Sequence, residues 1–164
     1  MTPDRISRLN SSVVNVEADA VAERSAKAPA IVIVATRHEI IAAGIETILR
    51  AAGHRVLARC SCEDELVRSL ELCRADIVIV ADDIVGRDVK SVISRMRARN
   101  CSTATIFLLD GRDMITASDL VELDVAGILL SRACATSFID CVGSVLVLTN
   151  IGQWSAPCRR GSRG

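Results

Sequence analysis

Large aromatic side chains are nearly missing from this chain: it has no tyrosine, and Phe107, Phe138 and Trp154 are its only Phe or Trp residues. Stacking on aromatic faces is what holds unpaired bases and sugars, so binding of single-stranded nucleic acid or carbohydrate is not expected. Long apolar runs are missing too. None approaches the roughly 18 residues of a membrane-crossing helix, and the polar amino terminus does not read as a secretory signal. A soluble, cytoplasmic protein is expected. Net charge is also absent, because 20 basic residues balance 20 acidic ones, yet the signs are unevenly spread. Residues 31–150 hold 13 basic residues against 16 acidic ones, whereas Arg159, Arg160 and Arg163 face no acid in the final segment. A mildly acidic globule lacks the electrostatic footprint of a DNA-binding domain, and three terminal arginines read as a solubilising tail.

What the chain does have is aliphatic bulk. Hydrophobic residues make up 50% of its 164 positions, enough to bury the core of one domain with tails. Seven cysteines occur, at Cys60, Cys62, Cys73, Cys101, Cys134, Cys141 and Cys158. Their number is odd, Cys60 and Cys62 form only a CxC, and His38 and His54 do not complete a zinc pattern. They read as reduced thiols filling space, and no metal or cofactor is expected.

Residues 1–29 are mixed in charge and rich in Ala and Ser, a flexible leader that ends near Pro29. The rhythm then changes. Ile31–Ala35 and Ile77–Val80 are continuous apolar runs, the pattern of strands buried on both faces. Thr105–Leu109 and Ala126–Leu130 read as two more strands, and Arg55–Arg59 as a shorter edge strand. Helical stripes lie between and after them: Ile41, Ile45, Ile48 and Leu49 stopped at Gly53; Leu66, Leu70 and Cys73; Val89, Val92, Ile93 and Met96; Ala117, Leu120 and Val121; Phe138, Val142, Val145 and Leu146. Ser61 followed by Asp64 suggests a capping box for the second helix. Five strands alternating with five helices predict an α/β fold, a doubly wound parallel sheet with helices on both faces and strand order 2-1-3-4-5. The domain is placed at 30–152 and the basic tail at 153–164.

In such a fold ligands bind beyond the carboxyl ends of the strands. Thr36, Arg37 and His38 follow the first strand, Ala81, Asp82 and Asp83 the third. The fourth ends in Leu109 and Asp110, the fifth in Ser131 and Arg132. Ala35-Thr36-Arg37-His38-Glu39 has neither a dinucleotide fingerprint nor a P-loop. No GxSxG elbow is present either, so an enzyme is not expected.

These residues resemble a family. From Ile31 to about Trp154 the sequence is similar to the receiver domain of bacterial two-component response regulators, in the subfamily that carries a LuxR-type helix-turn-helix. Val34-Ala35-Thr36-Arg37-His38 lies where that subfamily has an apolar strand, an acidic pair and a histidine. Ile41-Ala42-Ala43-Gly44-Ile45 matches its first helix, and Ala75–Ala81 its Pro-Asp-apolar-Asp segment, with Gly86 and Asp88 beyond. Ala126–Ser131 matches the Ala-Gly-aromatic-apolar-apolar-Lys segment, and Gly152-Gln153-Trp154 the close of the domain. The resemblance implies the flavodoxin-like receiver fold and a role in phosphorelay signal transduction.

The departures are equally regular. The metal-binding acidic pair falls on Thr36 and Arg37, the phosphoacceptor aspartate on Ala81, the Thr/Ser position on Leu109, the lysine on Ser131 and the switch aromatic on Ile128. Mg²⁺ needs an oxygen shell with carboxylates, and phosphoryl transfer to a carboxylate needs that cation. The expectation is therefore a degenerate pseudo-receiver, a phosphorylation-independent protein-interaction or homodimerisation module. Two alternatives stay open: a genuine phosphoacceptor using Asp82 or Asp83, and a small-ligand-binding flavodoxin-like domain. A one-residue slip normally turns a strand side chain away, so Asp82 would need a bulge to reach the site. Arg37 and Arg132, facing Asp82, Asp83 and Asp110, are expected to form an ion-pair cluster. Val145-Leu146-Val147-Leu148, apolar all round, is the expected contact with a second copy or partner. The sequence ends at Gly164, about where the family's linker to a helix-turn-helix begins, so direct DNA binding by this chain is not expected.

Overall fold

The computed structural model describes residues 29–86, 88–100, 102–111 and 115–150. The leader before residue 29, Gly152–Trp154, the basic tail, Cys101 and Cys158 lie outside the described residues.

The five strands are β1 (Ile31–Ala35), β2 (Arg55–Cys60), β3 (Ile77–Ala81), β4 (Ala104–Leu109) and β5 (Gly127–Leu130). They pair in parallel in the order β2-β1-β3-β4-β5, as the alternation of strand and helix predicts. Helices α1 (Glu39–Ala51) and α6 (Ala135–Asn150) cover one face; α2 (Glu63–Leu72), α3 (Asp82–Val85), α4 (Val89–Arg99) and α5 (Ala117–Glu122) cover the other.

The continuous apolar runs have a simple cause. Successive strand side chains alternate faces, and both faces are covered. On β1, Val32 and Val34 join Ala42, Ile45 and Leu49 of α1 and Phe138, Val142 and Val145 of α6. Ile33 and Ala35 join the opposite core with Leu66, Leu70, Val92, Ile93, Met96, Phe107 and Leu120. Burying a Val, Leu or Ile side chain is worth about 1.5–3 kcal/mol, so moving either strand by one residue would exchange two filled cores at once.

β2 departs from this pattern because it is an edge. Val32 pairs with Val56 and Ile33 with Ala58, so Leu57 is an extra residue bulged out of the ladder and exposed. Gly53, where the helix was expected to stop, follows α1 in the left-handed conformation at φ +86. His54 follows, buried, and its Nδ1 accepts the N–H of Ala30 at 3.3 Å, tying the start of β1 to the turn. Asp76 Oδ2 accepts from the N–H of Ile31 at 2.8 Å, a second tie at the same end.

Two local expectations fail. Ser61 and Asp64 do not form a capping box: Cys62 is the N-cap of α2, and Glu65 reaches back to the N–H and hydroxyl of Ser61 at 2.7 and 2.9 Å. The capping box belongs instead to α5, where Thr116 accepts from Asp119 N–H and Asp119 accepts from Thr116 N–H. A sixth helix, α3, was not anticipated, because four residues are too few to show a helical period. It determines where the acids go.

Candidate functional site at the strand ends

β3 stops at Ala81 and the chain turns at once into α3, so Asp82 and Asp83 sit on its first turn and not on the strand. The alternation rule that would turn Asp82 away therefore no longer applies, and no bulge is needed. Both carboxylates curl back over the carboxyl ends of the strands.

Asp83 leans over β1. Its Oδ2 accepts the hydroxyl of Thr36 at 2.9 Å and the backbone N–H of Arg37 at 3.0 Å, and it lies 3.6 Å from His38 Nε2. Thr36, only 4% exposed, accepts in turn from the N–H of His38, the N-cap of α1, at 3.2 Å. Asp82 leans the other way, and its Oδ2 accepts the N–H of Asp110 at 2.8 Å. Asp110 Oδ1 accepts the hydroxyl of Ser131 at 2.9 Å. A belt of hydrogen bonds thus crosses the sheet from β1 through β3 and β4 to the end of β5. One atom stands outside it: Asp83 Oδ1 is buried and has no hydrogen-bond partner.

The expected ion-pair cluster takes a different form. Among the described residues no ion pair involves the guanidinium of Arg37 or Arg132, and both side chains are exposed. The physical reason lies in the donors at hand. Backbone N–H groups and short hydroxyls at the strand ends reach the carboxylates without ordering a long side chain, which an exposed arginine must do for about 0–1 kcal/mol. Arg37 contributes through its backbone; Arg132 stays outside the belt. Ala81 and Leu109 are both buried, on opposite faces of the sheet, and carry only packing.

The donor set does not fit Mg²⁺. β1 is followed by Thr36 and Arg37, neither of them a carboxylate, Asp82 and Asp83 diverge toward different strands, and Asp83 Oδ2 is occupied by two donors. Among the described residues no three His, Cys, Asp or Glu side chains converge as a metal's ligands. A polar depression of about 740 Å³ lies at the opposite end of the sheet, lined by Cys73, Arg74, Asp76, Arg99, Asn100 and Thr149 among others.

The last helix divides its apolar run. Val145 is 2% exposed and belongs to the core, so it presents no interface, and Leu146 is half-buried against that core. Val147 and Leu148 are each 38% exposed. Val121 of α5 and Leu130 of β5 add further exposed apolar side chains. No described helix is long and apolar enough to cross a membrane.

No family model matches the sequence, and no curated protein matches it. Solved structures do. The signal receiver domain of a modulated diguanylate cyclase from Desulfovibrio desulfuricans G20 superposes with a TM-score of 0.67 at 21% identity, covering 76% of this chain and 99% of that one. The N-terminal domain of a response regulator/sensory box/GGDEF protein from Carboxydothermus hydrogenoformans gives 0.65 at 14%, with 76% and 99% covered. A CheY-like response regulator receiver domain protein from Methanospirillum hungatei JF-1 gives 0.66 at 8%, again with 76% and 99% covered. Identities this low speak to architecture: the chain has the receiver-domain fold of response regulators.

Proposed function

We propose that this chain is a pseudo-receiver, a non-enzymatic interaction and dimerisation module that acts in signal transduction or transcriptional control without being phosphorylated. The observation that carries the reading is the belt itself. The site where a receiver would place cation and phosphoryl group is spanned by the protein's own hydrogen bonds, with Ala81 at the acceptor position and Arg37 in the acidic pair. Nucleophilic attack requires a free carboxylate oxygen. Asp83 offers one oxygen engaged by donors and one buried. Mg²⁺ plays no part in this reading, and neither does direct contact of this chain with DNA. A cytoplasmic location accompanies it. The partner is a second copy or another protein, met through Val147 and Leu148, the exposed apolar side chains near the end of α6.

Titration with beryllofluoride and Mg²⁺, followed by backbone amide NMR, tests it. No change at Arg37, Asp82, Asp110 or Ser131 is expected. Saturable shifts centred on Asp82 would favour the second reading. That reading has one observation behind it: α3 delivers the half-exposed Asp82 to the strand ends despite its one-residue offset.

A further inference from the structure

We propose that the hydrogen-bond belt couples the turn entering α1 to the turn entering α6, with α3 as the pivot between them. Asp82 and Asp83 are adjacent on a single helical turn, yet they serve opposite halves of the sheet. Asp83 holds Thr36 and Arg37, and Thr36 holds the N-cap N–H of α1. Asp82 holds Asp110, and Asp110 holds Ser131 in the turn that leads from β5 into α6. The pivot is anchored but not broad: Ile84 and Val85 are buried in the core, and Gly86 closes the turn at φ +60. The two acids therefore move together. A displacement that lengthens the bonds at Asp83 also shifts Asp82, and through Asp110 it reaches Ser131.

A connected set of hydrogen bonds joined by a rigid element is a physical medium for coupling, and any such coupling acts equally in both directions. α1 and α6 also pack side by side on one face of the sheet, so the path joins two helices already in contact. Binding at the exposed His38-Glu39-Ile40 turn would then change the exposed edge of α6, and the reverse. This consequence rests on the interaction-module reading; the coupling itself is a property of the free chain.

Backbone amide shifts in the full chain, for Ser131→Ala and separately for Thr36→Val, test the proposal. Ser131→Ala removes only the last hydroxyl of the path, at an exposed position, and leaves the core untouched. It is expected to move the amide signals of Arg37 and His38 by more than those of α2, which lies off the path. Thr36→Val is expected to move Asp110 and Ser131 in return. The proposal is overturned if Ser131→Ala shifts Asp110 and its neighbours alone, leaving Arg37 and His38 in place. Ser131→Ala decides by itself should Thr36→Val fail to fold. The two readings fail separately: a beryllofluoride response would sink the pseudo-receiver and leave the coupling standing, while a purely local Ser131→Ala effect would do the opposite.

Discussion

Replacing Thr36 with Val tests the belt where it is most buried. The two side chains are close in shape, so the change removes a hydroxyl with little change in volume. The lost bond runs to a carboxylate whose other oxygen is already without a partner. Hydrogen bonds to charged groups contribute about 1.5–3 kcal/mol. The Asp83 side chain is 20% exposed, so water recovers part of this. The N–H of His38 also loses its acceptor, but at an exposed residue water replaces it. The net expectation is a loss of about 2 kcal/mol, or a fall in Tm on the order of 5–10 °C for a domain of this size. Urea unfolding of Thr36→Val, Asp83→Ala and the double variant measures it, and a coupling of at least about 1 kcal/mol between the two positions is expected. A Thr36→Val protein within about 0.5 kcal/mol of the parent, or additive effects in the cycle, would refute the reasoning, since Asp83 would then be satisfied by solvent.

Other consequences can be measured independently. A Cβ at Gly127 would lie 3.0 Å from Cys141 Sγ and 3.3 Å from Val145 Cγ2, so Gly127→Ala is expected to cost about 1–3 kcal/mol by overpacking, and adding Cys141→Ala to restore part of it in urea unfolding. Burial lowers the pKa of His54 below its ordinary 6.5, so the folded chain keeps it neutral while the unfolded chain takes up a proton. Stability is therefore full above pH 6.5 and declines as pH falls from there through the folded value; His54→Asn should flatten that slope in urea midpoints measured from pH 7.5 down to 5. Cys134, at the start of α6, has its thiol pKa lowered by Ser137 and the neighbouring N–H groups, whereas burial raises Cys60 and Cys141. Iodoacetamide should label Cys134 before those two, and mass mapping that finds Cys60 first would contradict this. Leu148→Glu is expected to leave the unfolding midpoint within about 0.5 kcal/mol while abolishing self-association in sedimentation, if α6 provides the contact.

The architecture was legible because burial on two faces leaves a strong mark. β1 and β3 must be apolar at every position, and a helix packed on a sheet must repeat its apolar residues every three or four. Their bounds fall within a residue or two of the expected ones, as with Ile31–Ala35 and Ile77–Ala81. The α6 run was legible only as hydrophobic. Which of Val145, Leu146, Val147 and Leu148 faces inward depends on the helix's rotation against Gly127 and Ile106, and the sequence window is too uniform to reveal it.

At the strand ends, residue order along the chain showed which side chains arrive there. It did not determine what those residues do. Charges suggested arginine–aspartate pairs, because sequence shows charge but not reach. That α3 begins directly after Ala81 and aims Asp82 and Asp83 at opposite strands came from long-range packing. There, backbone N–H groups and the Thr36 hydroxyl bond the two carboxylates, and among the described residues no guanidinium pairs with either. Strand and helix periods are local and repeat along the chain, whereas a hydrogen-bonded site is assembled once, from residues as far apart as Thr36 and Ser131, by where four strands happen to end.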